Sequence, residues 1–272
     1  MVETFYEFEH AGWQLVADSY EKFLGSLTSQ TIHELLDAVD LKPGTKVLDI
    51  ASGPGYVADA AAKRGANVTG VDFSSVMVSM ARLRLPAISF EEGNAERLIF
   101  ADNSFEAITM NFGMLHLEHP EAAFKEAFRV LSPGGKFAFS VWGLPERARG
   151  FNIVLQAIKE NGNPAVALPQ GPPFFRFSDE SESSREMNAA NFTDVRCRQL
   201  DMEWHLNSCN DFFDAFYHGT PRTGGVLRAQ TEGDLKAIKE AIFATLEQYK
   251  IGIGESLVIP MQSLIVSGTK QA

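Results

Sequence analysis

Between Thr45 and Trp142 the chain alternates short β-rich runs with stretches in which apolar residues recur at helical spacing. "TKVLDI" (45–50), "NVTGVD" (67–72), "AISFEE" (87–92), "FEAITMN" (105–111) and "KFAFSVW" (136–142) read as strands. An Ala-rich helix follows the first, running to about Lys63 and closed by Gly65. A second helix is capped by Ser74 or Ser75, runs to about Arg84 and is stopped by Pro86. Pro120 suits a first helical position, after which Phe124, Ala127, Phe128 and Leu131 make one apolar face. "SPGG" then turns the chain into the fifth strand. Alternation at this spacing requires parallel strands joined by right-handed crossovers, which is an open α/β sheet.

The flanks carry a different rhythm. Ile32, Leu35, Leu36 and Val39 predict a helix within 28–40. The first 25 residues, with Phe5, Tyr6, Phe8, Trp13, Tyr20 and Phe23, read as helical or irregular. Beyond Trp142, residues 143–177 read as a loop, notably at "LPQGPPFFRF". A helix follows Ser178, a strand covers 192–204, helices cover 208–218 and 231–250, and a closing strand covers 256–270. Thr231 with Asp234 resembles a capping box. Leu235, Ile238, Ile242, Leu246 and Tyr249 form the core stripe of the last helix. The expected domains are an N-terminal helical lid segment (1–27), a ligand-binding core (28–142), and late strands with insertions (143–272). Those insertions, about 143–190 and 205–255, are expected to cover the carboxyl edge of the sheet, where open α/β folds bind ligands.

Charge narrows the ligand. The 272 residues include 24 Lys+Arg against 35 Asp+Glu, a formal net charge of −11, and no run of five or more basic residues. Residues 1–40 hold eight acids and Lys22 as the one Lys or Arg. Nucleic-acid affinity comes mainly from cations that neutralise phosphates, so DNA and RNA are poor candidates. Cys197 and Cys209 give neither a disulfide framework nor a four-ligand metal set. The acidic start "MVETFYEFEH" is no signal peptide, and no run reaches the roughly 18 apolar residues of a membrane span. The expectation is a soluble cytoplasmic protein without a metal.

Gly53-Pro54-Gly55-Tyr56-Val57-Ala58 satisfies the glycine pattern of dinucleotide sites. Asp49, at the tip of the preceding strand, opposes that reading, because a carboxylate repels a pyrophosphate. S-adenosylmethionine (SAM) reverses the sign: it carries an ammonium and a sulfonium and has no phosphate. Asp72, at the end of the second strand, is placed to accept from two ribose hydroxyls under either reading. Asp49 therefore discriminates and Asp72 does not.

"VLDIASGPG", "GVDFS", "GNAERLIFADNSFE" and "FRVLSPGGKFAFSVW" follow one another in order. Together they resemble the successive motifs of the class I SAM-dependent methyltransferases, in the small-molecule branch of the ubiquinone/menaquinone C-methyltransferases. The resemblance covers about residues 10–142, with weaker support from "NFTDVR" onward. It implies a Rossmann-like, doubly wound, seven-stranded and mostly parallel sheet with an antiparallel last strand and helical insertions over the cofactor edge. It implies that Asp49 lies near the methionine end of SAM, within a loop of Ala51, Ser52, Gly53 and Gly55. Ala51 stands where many members have glycine. Asp72 would bind the ribose, and Phe73 and Met77 would flank the adenine. Asn94 and Ala95 would meet the adenine edge, with Asn94 standing where an Asp is usual. Asn111, Phe112 and Gly113 would run along the methionine portion. Tyr20 resembles an N-terminal tyrosine that reaches the cofactor in many relatives, with simple packing as its other reading.

Methyl transfer needs alignment, exclusion of water and, for a phenol or enol-like carbon, a base. His116 in "MLHLEHP" is a candidate base or substrate contact, or a residue that shapes the pocket. His119 is more suited to capping the next helix, and the two make a poor metal pair. Phe174, Phe175 and Arg176, with Tyr217, His218 and Arg222, offer aromatics beside cations, which suits a flat, partly anionic acceptor. Their other reading is the inserted segments' own core and surface charge. Two rival functions share this fold: an NAD(P)-dependent oxidoreductase and a non-catalytic binding module. Asp49 and the lack of a Tyr-x-x-x-Lys pair weigh against the first, and the intact motif series weighs against the second.

Overall fold

The computed structural model describes residues 4–272. Its early helices are α1 (Phe5–Phe23), α2 (Gly25–Thr28), α3 (Ile32–Ala38), α4 (Tyr56–Lys63), α5 (Ser75–Arg84) and α6 (Pro120–Val130). The later ones are α7 (Arg149–Asn161), α8 (Glu180–Ala189), α9 (Cys209–Gly219), α10 (Arg222–Arg228) and α11 (Glu232–Leu246). The strands are β1 (Lys46–Ile50), β2 (Asn67–Asp72), β3 (Ser89–Glu92), β4 (Phe105–Asn111), β5 (Leu131–Trp142), β6 (Thr193–Leu206) and β7 (Leu257–Thr269). No described helix is long and apolar enough to cross a membrane.

The strands form one sheet in the order β3-β2-β1-β4-β5-β7-β6, parallel except for β7, which runs antiparallel to β5. Order reverses between β1 and β4, and the crevice beyond their carboxyl ends is the switch point of a doubly wound fold. This is the Rossmann-like architecture expected from the sequence.

The chain divides into two compact units. The sheet unit comprises residues 28–142, 171–200 and 263–272. One face of its sheet packs Leu35, Leu36 and Val39 of α3 and Val57 and Ala61 of α4 on Val47, Ala107 and Ala138. The opposite face is aromatic: Phe124 of α6 meets Phe137 at 6.2 Å and Phe139 at 5.5 Å, ring centre to ring centre. Leu131, expected on the α6 face, is instead the first residue of β5 and fully buried.

The second unit comprises 1–27, 143–170 and 201–262 and is mainly helical, with α1, α7, α9, α10 and α11. Trp204 is its anchor, donating from Nε1 to the Phe23 carbonyl at 3.1 Å and packing on Phe212 and Phe216. Thr4 caps α1 in a full capping box with Glu7. Thr231 accepts from the Asp234 N–H at the start of α11, as the sequence pattern indicated.

Two expectations change. The stretch 143–177 is not all loop: residues 149–161 form α7, burying Phe151, Val154, Ala157 and Ile158 at helical spacing. The Gly/Pro cluster that suggested a loop begins only after Asn161. The first inserted segment also divides, because 143–170 belongs to the helical unit whereas 171–200 packs with the sheet.

Candidate active site

The loop after β1 is built on left-handed backbone. Ala51, Gly53 and Gly55 have φ of 52°, 51° and 89°. Glycine adopts this region freely, whereas an L-residue pays roughly 1–2 kcal/mol there, so Ala51 carries strain. A side chain at Gly55 would meet Leu85 at 2.9 Å, and one at Gly70 would meet the Phe90 ring at 2.4 Å. At Gly55 and Gly70 there is no room for a Cβ, whereas Gly53 has open space and is a glycine for its left-handed φ.

Asp72 ends β2 and is buried. Its Oδ2 accepts from Gly53 N–H and its Oδ1 from Ser74 N–H, both at 2.8 Å. Through these two bonds the carboxylate holds the glycine loop and the start of α5 together. Ser74 is the expected cap of α5, accepting from Met77 N–H at 3.3 Å.

Asp49 pairs in register with Gly70 of β2 and Thr109 of β4. That register puts the Thr109 hydroxyl 3.0 Å from Asp49 Oδ1, to which it donates. Asp49 is 1% exposed, and its Oδ2 has no hydrogen-bond partner. Burial pushes its carboxyl up to about 7, opposed by the Thr109 hydrogen bond, reinforced by the Asp72 charge and opposed again by the Ala58 backbone N–H. The buried Ser52 hydroxyl beside it also lacks a partner.

Across the switch point, β4 ends in a second strained corner. Phe112 has φ of 53°, lies on Trp142 at 4.2 Å, and donates its N–H to Ser140, at 3.1 Å to the carbonyl and 3.0 Å to Oγ. The Asn111 side chain is spent internally: Oδ1 accepts from Thr31 at 2.7 Å and from Ser140, and Nδ2 donates to the Thr28 carbonyl. At Asn111 it is thus the backbone, not the side chain, that is open to a ligand. Gly113 is required, since a Cβ there would lie 2.6 Å from the Ala51 Cβ.

Asn94 likewise has an internal duty, its Oδ1 accepting from Glu96 N–H at 2.8 Å. Ala95 and Met77 are buried and Phe73 is half-buried. Sequence reasoning missed Glu96, whose carboxylate accepts from the N–H groups of Glu118 and His119 and ties the turn after β4. His119 occupies the N-cap position of α6, but its side chain makes no cap. Both cysteines are free thiols.

His116 lies in the 3-10 turn Met114–His116 that follows this corner. Its ring meets Phe174 edge-on at 6.3 Å, and Phe174 meets Phe175 at 4.9 Å. These three expected residues do come together. Arg176 does not join them: its guanidinium donates to Glu121 at 2.6 Å, Glu182 at 2.7 Å and Glu186 at 2.9 Å. The expectation of a cation facing the acceptor fails at Arg176, because three carboxylates already claim that cation.

Tyr20, Tyr217, His218 and Arg222 belong to the helical unit. There Tyr20 meets Trp13 edge-on at 5.4 Å and Tyr217 stacks on Phe213 at 5.5 Å. His218 is exposed. Arg222 stands 3.9 Å from the buried Glu9 and over the Phe5 ring. Glu9 has no signal in the sequence beyond its place on the inner face of α1.

The corner around β1, β2 and β4 joins two acids, one with an unsatisfied buried oxygen, to a backbone stripped of side chains. That combination fits a cationic, phosphate-free nucleoside and repels a diphosphate. The sequence family described as "Methyltransferase domain" matches residues 48–139. A demethylmenaquinone methyltransferase of Paenarthrobacter aurescens is 32% identical over 175 residues, covering 61% of this chain and 69% of that protein. The chain belongs to the class I SAM-dependent methyltransferases. A second relative, the demethylmenaquinone methyltransferase of Renibacterium salmoninarum, is 32% identical over 61% of this methyltransferase and 74% of its own length. A solved Haemonchus contortus phosphoethanolamine N-methyltransferase 2, complexed with S-adenosylhomocysteine, shares the fold at a TM-score of 0.60 and 16% identity. That match spans 100% of this chain and 61% of that one. SAM is the cofactor of this methyltransferase, and its acceptor is a small molecule. When bound, SAM supplies a methyl group activated by a sulfonium.

Proposed function

We propose that this methyltransferase holds SAM at the β1–β2–β4 corner and methylates a planar, hydroxylated ring of the quinol type. Asp49 faces the amino-acid end, Ala51, Ser52, Gly53 and Gly55 admit close backbone approach, and Asp72 takes the ribose hydroxyls. Phe73 and Met77 border the adenine, whose edge meets Asn94 and Ala95. The backbone of Asn111, Phe112 and Gly113 follows the methionine chain. Tyr20, Tyr217, His218 and Arg222 are held as candidate ligand contacts on the helical unit.

The observation that carries the acceptor class is the grouping of His116, Phe174 and Phe175 just beyond the strained Phe112 corner. Flat aromatic walls with one titratable ring suit a flat acceptor that must lose a proton. The names of the relatives, demethylmenaquinone methyltransferases, favour the same class. In this reading His116 takes the proton of a ring hydroxyl and leaves an electron-rich ring carbon; SAM, when bound, would supply the methyl, and the proton of that ring carbon would then leave to restore the aromatic ring. The free thiols and acidic composition support a cytoplasmic enzyme.

The test is turnover with methyl-labelled SAM against benzoquinols, naphthoquinols and primary amines. Label in a methyl group newly bonded to a quinol ring carbon is expected, with His116→Ala slower by about 10²-fold or more. Label only in amines, or an undiminished His116→Ala enzyme, would overturn the acceptor assignment.

A further inference from the structure

A buried carboxylate with one bonded and one unsatisfied oxygen has two ways out of its desolvation cost. It takes up a proton, or it meets a cation. Asp49 is in this position: 1% exposed, held at Oδ1 by Thr109, and bare at Oδ2.

The charges around it offer no cation. From β2 the facing group is Asp72, which has the same sign. On β4, Glu106 accepts from the Lys46 N–H at the opposite end of β1. On α4, Asp59 and Lys63 pair with each other at the surface. On α3, Asp37 pairs with His33 and Arg64, and Glu34 pairs with Arg198; in the turn after it, Asp40 pairs with Lys136. His33 of α3 and Lys63 of α4 are thus paired with carboxylates of their own helices. Among the described residues, the group acting through its charge on Asp49 is another acid, and the neutral form is favoured.

We propose that Asp49 is a carboxylic acid in the free protein and a carboxylate in the cofactor complex, so that binding the α-ammonium releases one proton. The proposal rests on the placement of the amino-acid end beside Asp49 given above. An ammonium at hydrogen-bond distance supplies what the protein withholds, an opposite charge in a dry site. Cofactor affinity then depends on pH through a residue that never touches the acceptor. Binding falls as pH drops, because the proton competes with the ammonium for the same oxygen.

The test is calorimetric titration with S-adenosylhomocysteine in two buffers of different ionisation enthalpy, which counts protons. Work stays below pH 7, beneath the range of about 7.7–8.0 in which an α-amino group itself titrates. Near pH 6 about one proton is expected to leave per ligand bound, and affinity is expected to climb roughly tenfold per pH unit up to about 7. Asp49→Asn removes both effects. 5′-Methylthioadenosine, which has no amino acid, binds without proton release, and this contrast within the wild type stands even if Asp49→Asn does not fold.

S-adenosylhomocysteine binding with no proton released at pH 6, or unchanged release in Asp49→Asn, overturns the inference and leaves the cofactor assignment intact. Failure of S-adenosylhomocysteine to bind at any pH overturns the assignment itself.

Discussion

Ala51 and Gly113 lock together across the switch point: a Cβ on Gly113 would sit 2.6 Å from the Cβ of Ala51. The two residues terminate the loops after β1 and β4, and each loop carries a non-glycine residue in the left-handed region, Ala51 and Phe112. Strain concentrated at two adjacent strand ends marks a corner shaped for a ligand rather than for stability. Gly113→Ala is expected to cost about 1–3 kcal/mol and to weaken SAM binding. Ala51→Gly alone is expected to be neutral or to stabilise by up to about 1 kcal/mol, since it relieves φ strain but loosens the unfolded chain. The double variant recovers part of the loss, not all, because Met110 Cγ also lies 2.8 Å from the same point. Chemical denaturation of the four proteins as a mutant cycle checks this; strict additivity would show that the two positions do not touch.

Asp72 has a structural duty and, in the proposed function, a binding one, and the two separate experimentally. Asp72→Ala leaves the Gly53 and Ser74 N–H groups without acceptors, at about 1–3 kcal/mol for each buried donor. It also removes the ribose acceptor. The free variant is expected to melt at lower temperature and to bind S-adenosylhomocysteine at least about 100-fold more weakly, as two charge-assisted hydrogen bonds warrant. A lower melting temperature with unchanged affinity would leave Asp72 as a loop staple only.

Stability should depend on pH through Asp49. Its carboxyl is raised from 3.8 to about 7 on folding. Between these values the folded state holds a proton that the unfolded state has lost, so this contribution is full at low pH and is lost as pH rises through about 7. The slope is on the order of 1.4 kcal/mol per pH unit within that window. The measurement is the difference in unfolding free energy between wild type and Asp49→Asn from pH 4 to 8, because histidines titrate in both proteins alike. A difference that does not change with pH would mean that Asp49 is already ionised in the free fold.

Arg176 is expected to matter for folding and not for catalysis. It bridges α6 and α8 through Glu121, Glu182 and Glu186, and Glu186 is buried. Arg176→Met removes one of the two arginines on Glu186 and leaves Arg185, so the expected cost is about 1–3 kcal/mol, below the figure for breaking a fully buried pair. Melting temperature should fall while S-adenosylhomocysteine affinity holds. A specific rise in acceptor KM with unchanged melting temperature would return Arg176 to the acceptor site.

The sheet was legible in the sequence because each parallel strand announces itself by an apolar run between turn residues, as at 45–50 and 67–72. The acid at Asp49 was equally legible, and its place at the strand tip weighed against a diphosphate ligand. Its burial was not, since that depends on α3 and α4 closing over one face of the sheet. The strain at Ala51 and Phe112 was hidden because neither residue type signals left-handed backbone. α7 was missed although Phe151, Val154, Ala157 and Ile158 keep helical spacing, because the glycines and prolines behind it dominated the window. Arg176 was misjudged because a polar side chain beside a site looks available until its long-range partners, here Glu121, Glu182 and Glu186, are known.

The most direct measurement is a crystal structure of the methyltransferase with S-adenosylhomocysteine. The account predicts the ribose hydroxyls on Asp72 and the α-ammonium within about 3 Å of Asp49 Oδ2, directly or through one ordered water. An amino-acid end pointing away, with no cationic atom within about 6 Å of Asp49, would contradict it.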